Sequence, residues 1–120
     1  MDTSYNEHTT TRGLLYSYLH LKPSNQENQI YILFLHGFPS SSYDWRYQIQ
    51  YFSQKGYGII APDLLGYGKT SKPLDIQAYR VKPMIEDIVE ILRYEGIESV
   101  IGVGHDWFVN CPFLSSPFCW

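Results

Sequence analysis

Cysteine is scarce in this chain of 120 residues, and its two cysteines, Cys111 and Cys119, both lie within the last ten positions. Two thiols placed so close together do not make the disulfide framework by which small secreted domains are held together. The first twelve residues are polar and lack the apolar core of a secretory signal. The sequence therefore predicts a cytoplasmic protein.

Several partner classes are excluded by what the chain does not contain. It has no continuous apolar run of about 18 residues, so we expect no membrane span. Nine basic residues against twelve acidic ones give a net charge of −3, and without a basic stripe we expect no nucleic-acid partner. No histidine pair or cysteine cluster has metal-ligand spacing. Gly102 and Gly104 resemble part of a dinucleotide fingerprint, but no third glycine follows, so we expect no cofactor.

The apolar pattern that is present alternates between strand and helix. Short apolar runs predict strands over 14–21, 30–35, 57–61 and 99–103, and helical spacing predicts helices over 43–54 and 84–94. Short links between them indicate an α/β fold, a mostly parallel sheet with flanking helices. Residues 1–12 are expected to be a disordered arm. In the second helix the apolar positions face inward, while Glu86, Asp87, Glu90 and Arg93 are expected to face outward.

Three motifs lie in order along the chain, and each follows or overlaps one of these strands. They are His36-Gly37-Phe38-Pro39, the run from Tyr57-Gly58 to Gly68-Lys69-Thr70 that contains Pro62-Asp63, and Gly102-Val103-Gly104-His105-Asp106-Trp107. Together they resemble the α/β-hydrolases and, more narrowly, the epoxide hydrolases. The resemblance covers residues 13–107 and implies an incomplete α/β-hydrolase core, the N-terminal part of a typical member.

The resemblance implies a role for each matched residue. Asp106 would be the nucleophile on a strained strand-to-helix turn, with the small Gly104 and with His105 before it. A carboxylate in place of Ser or Cys argues against esterases, lipases and peptidases, and suits attack on the alkyl carbon of a small apolar epoxide, with an ester intermediate and a diol product. The backbone N–H groups of Phe38 and Trp107 would form the oxyanion hole.

The other matched positions would support that site. His36, Gly37 and Pro39 belong to the first motif, and the resemblance implies a cis bond before Pro39 and a structural rather than catalytic His36. Asp63 would be a structural loop carboxylate. Two alternatives stay open: a haloalkane or haloacid dehalogenase, which also uses an aspartate here, and a non-catalytic partner of a full-length homologue.

The pattern of the family fails after Trp107. Phe108 stands where the turn favours a small residue, and two prolines in 108–120 forbid the helix that should follow. We expect this atypical tail to be unspliced intron read-through or a frameshift. No histidine follows Asp106 and no lid tyrosines are present, so the resemblance implies an inactive, truncated fragment. The strand at 100–103 would then be an open apolar edge, a route to self-association.

Overall fold

The computed structural model describes residues 5–25, 29–37 and 40–105, which form a five-stranded sheet flanked by helices. The strands are β1 (Tyr5–Thr9), β2 (Leu15–Leu21), β3 (Tyr31–Leu35), β4 (Gly58–Pro62) and β5 (Val100–Gly104). Their order in the sheet is β1-β2-β4-β3-β5. β1, β2 and β4 pair antiparallel, whereas β4, β3 and β5 pair parallel. The predicted α/β class is confirmed, with a sheet that is mixed.

Two helices cover opposite faces of this sheet. The first, α1 (Arg46–Gln54), follows a 3₁₀ turn at Ser42–Trp45, and the second, α2 (Val81–Tyr94), follows a 3₁₀ turn at Ile76–Tyr79. Side chains alternate along β3, so Ile32 and Phe34 pack on the α1 side while Leu33 and Leu35 pack on the α2 side. The result is a three-layer arrangement with a core on each side of the sheet.

The ends of the first helical segment follow from local chemistry. The Ser41 hydroxyl accepts a hydrogen bond from the backbone N–H of Tyr43 at 3.3 Å, which caps the segment. Gly56 follows its end at φ +97°, a conformation that other residues rarely adopt. None of the helices in the described residues is both long and apolar enough to cross a bilayer.

The N-terminal arm expected over residues 1–12 is instead structured from Tyr5 onward, because β1 pairs with β2 along its whole length. Polar contacts to α2 hold this hairpin in place. The carboxylate of Glu90 lies 2.7 Å from His8 Nε2 and accepts the N–H of Thr11 at 3.1 Å. The sequence pattern missed the strand because its side chains are mostly exposed and polar.

The expectation that Asp87 faces outward was wrong. Its side chain is buried, and it accepts hydrogen bonds from Arg12 Nε at 3.1 Å, Arg12 Nη2 at 2.5 Å and the Tyr16 hydroxyl at 2.7 Å. A buried carboxylate is tolerated when it is paired and hydrogen-bonded. Asp87 is therefore, with Glu90, a link between the hairpin and α2.

The other edge of the sheet is β5. Among the described residues it pairs only with β3, and four of its five residues are partly exposed. Ile101 and Val103 are partly exposed on this strand, whereas Val100 is buried.

Candidate active site

The carboxyl ends of β3 and β5 lie side by side. Leu35 pairs with Gly104, and the N–H of His105 donates to the carbonyl of Leu35 at 3.1 Å. The chain continues from β3 to β4, which lies on one side of β3, and later returns to β5, which lies on the other side of β3. Such a reversal opens a crevice beyond the strand ends, which is where ligands bind in α/β sheets. The two ends lead directly into the first and third sequence motifs.

His36 is the first residue beyond β3, and both of its ring nitrogens are engaged. Nδ1 donates to the carbonyl of Gly37 at 2.9 Å, and Nε2 accepts the N–H of Leu64 at 2.9 Å. Tyr67 packs edge-on against the ring, with centroids 5.4 Å apart. Burial lowers the pKa of His36 below its ordinary 6.5, which keeps the ring neutral. The ring joins the end of β3 to the end of β4.

Asp63, the residue after β4, makes hydrogen bonds through both its side chain and its backbone carbonyl. Its Oδ1 accepts the N–H of Ser42 at 2.9 Å, and its own carbonyl accepts the Thr70 hydroxyl at 2.6 Å. Gly68 allows the loop to close on this carboxylate: a Cβ at Gly68 would lie 2.2 Å from Asp63 Oδ2. Asp63 therefore holds the loop after β4 against the start of the α1 segment.

An aromatic cluster of Phe34, Trp45 and His105, called here the Trp45 floor, lies beside the strand ends. The Trp45 ring packs on Phe34 at 5.0 Å and meets His105 edge-on at 6.4 Å. A depression of about 210 Å³ is lined by Asp44, Trp45, Gln48 and His105. The sequence pattern places Trp45 near the start of a predicted helix, whereas its nearness to His105 depends on the sheet register.

A larger depression, of about 660 Å³, lies elsewhere, beside the β1–β2 hairpin. It shares no lining residue with the strand-end crevice. The candidate site lies at the crevice, because the sequence motifs and the strand reversal meet there. The depression beside the hairpin is larger, but none of the motif residues predicted for the site lines it.

The structure thus brings together four of the predicted site residues: His36, Gly37, Gly104 and His105. Phe38, Pro39, Asp106 and Trp107 lie outside the described residues, and their roles stay predictions. Within residues 5–25, 29–37 and 40–105, no three His, Cys, Asp or Glu side chains form a group that could hold a metal ion.

A family model described as the alpha/beta hydrolase fold matches residues 30–107. The chain belongs to the α/β-hydrolase family. The match begins just before β3 and extends three residues beyond β5, so it contains the parallel strands and both helices.

Among the relatives of this α/β-hydrolase are proteins named as epoxide hydrolases. The chain is 49% identical over 76 residues to Epoxide hydrolase 3 of Siraitia grosvenorii, covering 63% of this chain and 24% of that protein. It is 44% identical over 85 residues to Epoxide hydrolase B of Mycobacterium tuberculosis, covering 71% and 24%. The predicted resemblance to epoxide hydrolases is confirmed.

Solved structures give the same result for the fold. The crystal structure of an epoxide hydrolase from Vigna radiata superposes with a TM-score of 0.77 at 34% identity, covering 88% of this chain and 32% of that one. The chain therefore spans about a quarter of the curated relatives' length and about a third of this structure.

Proposed function

We propose that this α/β-hydrolase carries the nucleophile half of an epoxide-hydrolase site, with Asp106 as the attacking carboxylate. The observation that carries the proposal is the pairing of β3 with β5, which sets the end of β3, followed by His36-Gly37, beside Gly104-His105. Asp106 is the next residue after His105, and Phe38 is the next after Gly37. The names of the relatives supply the substrate class.

The chemistry follows from an aspartate at this position. A carboxylate oxygen of Asp106 attacks an epoxide carbon, the carbon–oxygen bond of the ring breaks, and the released alkoxide takes a proton, which leaves a hydroxyalkyl ester. Attack of water on the ester carbonyl then returns the carboxylate and releases a diol. Backbone N–H groups of Phe38 and Trp107 would stabilise the oxyanion of that second step, a term worth about 3 kcal/mol per donor in hydrolases.

The second step needs a general base. The four histidines are His8, His20, His36 and His105, all before Asp106. His36 uses both nitrogens within the fold, and His8 and His20 contact Glu90 and Glu95 beside α2, away from the crevice. Only His105 lines the crevice, and the resemblance puts the base after the nucleophile rather than directly before it. We therefore expect a polypeptide of these 120 residues to form the ester and to hydrolyse it slowly.

Intact-mass spectrometry tests the first step. The protein, with its cysteines capped beforehand, is incubated with styrene oxide, and a stable adduct of one equivalent is expected. Asp106→Asn should lose the adduct, whereas Asp44→Asn should keep it, because Asp44 is an exposed carboxylate lining the same crevice. An equal yield in Asp106→Asn would refute the proposal. A faster adduct with a chloroalkane of the same size would favour a dehalogenase.

A further inference from the structure

A second cluster of reactive groups lies at the opposite end of the sheet from the crevice, around His20 near the end of β2. His20 Nδ1 lies 3.2 Å from the Glu95 carboxylate, and His20 Nε2 lies 2.9 Å from the hydroxyl of Tyr31. Tyr31 is the first residue of β3, and Glu95 directly follows α2. Carboxylate, imidazole and hydroxyl are therefore connected in a row.

The carboxylate decides which ring nitrogen of His20 carries the proton. Nδ1 lies 3.2 Å from the Glu95 carboxylate and 3.4 Å from the amide nitrogen of Asn6, and the nearer, charged carboxylate favours a proton on Nδ1. Nε2, which lies 2.9 Å from the Tyr31 hydroxyl, is then left to accept it. Glu95 itself is held by the hydroxyl of Tyr18 and by the amide of Asn6 at 3.2 Å. This order is that of a carboxylate, a general base and a nucleophile.

The surroundings leave the nucleophile end of this row within reach of solvent. The imidazole is 7% exposed and the Glu95 side chain 13%, whereas Tyr31 is only partly buried. The Tyr31 ring packs over Gly58, where a Cβ would lie 2.6 Å from it, so the glycine makes room for the phenol. The depression of about 660 Å³ is lined by Asn6 and Glu95, so it meets the row at its carboxylate end.

We propose that Tyr31 is a second nucleophilic site of this chain, reacting with activated carboxylic esters by way of His20 and Glu95. Tyr31 Oη forms a bond to the acyl carbon, the bond to the leaving aryloxide breaks, and the phenolic proton passes through His20 Nε2 to the aryloxide. The products are an O-acyl tyrosine and a phenol. The site is independent of Asp106 and of the crevice.

Protonation supports the same division of roles. Burial lowers the pKa of His20, so the imidazole is a free base near neutral pH, and burial raises the pKa of Tyr31, so the phenol keeps its proton until the base removes it. The groups that face His20 are Asn6 from β1, Tyr18 and Lys22 from β2 and its end, Tyr31 from β3, and Glu95 after α2.

The test compares tyrosines within one molecule. The full chain is treated briefly with p-nitrophenyl acetate at pH 7, and acetylation at each tyrosine is measured by peptide mass spectrometry. Tyr43, Tyr47 and Tyr51 are 63%, 68% and 55% exposed and contact no histidine, so they report unassisted labelling. Since a general base is typically worth about a hundredfold or more, we expect Tyr31 to react at least about tenfold faster than these three.

Two further measurements separate assistance from exposure. In urea the advantage of Tyr31 should vanish, and in His20→Gln it should fall to the level of the exposed tyrosines. Labelling of Tyr31 should reach its plateau below about pH 7, whereas the exposed tyrosines should still gain towards about pH 10. A folded chain in which Tyr31 reacts less than tenfold faster than Tyr51, or follows the same pH profile, would overturn the proposal.

Discussion

Replacing Asp87 with alanine should remove the main polar link between the hairpin and α2. The change leaves the hydroxyl of Tyr16 buried without its acceptor, which costs about 1–3 kcal/mol. Arg12 also loses its ionic partner, but its side chain is 29% exposed and can be hydrated, so we add only about 1 kcal/mol for that pair. The expected loss in the free energy of unfolding is about 3 kcal/mol.

Equilibrium urea unfolding, followed by tryptophan fluorescence and by far-UV circular dichroism, measures this loss. Glu86→Ala is the matched control, because Glu86 is the exposed neighbour on the same helix and should change stability by no more than about 0.5 kcal/mol. In the Tyr16→Phe background, Asp87→Ala should cost at least about 1 kcal/mol less, since no hydroxyl is left unpaired. If Asp87→Ala and Glu86→Ala lose equal stability, the link does not exist.

Three further predictions concern backbone and protonation. Gly68→Ala should lower the free energy of unfolding in urea by about 2–4 kcal/mol, because φ is +53° and the new Cβ meets Asp63. Gly13→Ala, at φ +79° with open space around it, should lower it by only about 1 kcal/mol. Ser41→Ala should lower the free energy of unfolding by about 1 kcal/mol through loss of the cap, and Ser40→Ala, one residue earlier, should not. Because the pKa of His36 is lower in the folded state, the unfolded state binds the proton more readily. The stability that the neutral His36 contributes is therefore complete above about pH 6.5 and is lost as the pH falls towards the folded pKa. His36→Gln should flatten that decline in thermal unfolding.

Each of these has a plain contrary outcome. Equal losses in the two glycine variants would mean that the loop after β4 is not closed on Asp63. A cap effect at Ser40 rather than Ser41 would shift the start of the α1 segment. A decline between pH 7 and 5 that is unchanged in His36→Gln would assign it to other groups, of which His20 shares the same direction of pKa shift.

The parallel strands and the two helices could be predicted from sequence because each carries its own periodicity. Continuous apolar runs marked β3 and β4, and helical spacing marked α2. The hairpin strand β1 could not be predicted, since its side chains are exposed and its order comes from pairing with β2 and from contacts to residues about 80 positions away.

The candidate site, like the fold, could be predicted only in part. The motifs put His36 after one predicted strand and Gly104 after another, and the strand register sets the ends of these two strands side by side. The Trp45 floor and the His20–Glu95–Tyr31 row could not be predicted, because their members are far apart in sequence and meet only through the sheet and the end of α2. Asp87 was misassigned because its charge, on a helix, usually indicates a solvated position.

The proposed function requires that the carboxylate of Asp106 opens the epoxide. The most direct measurement is tandem mass spectrometry of the peptide that contains residues 105–111, after cysteine capping and reaction with styrene oxide. We expect a hydroxyalkyl ester on Asp106 that hydroxylamine removes. Label found on His105 alone, or an ester yield equal to that on the exposed carboxylate of Asp44, would contradict it.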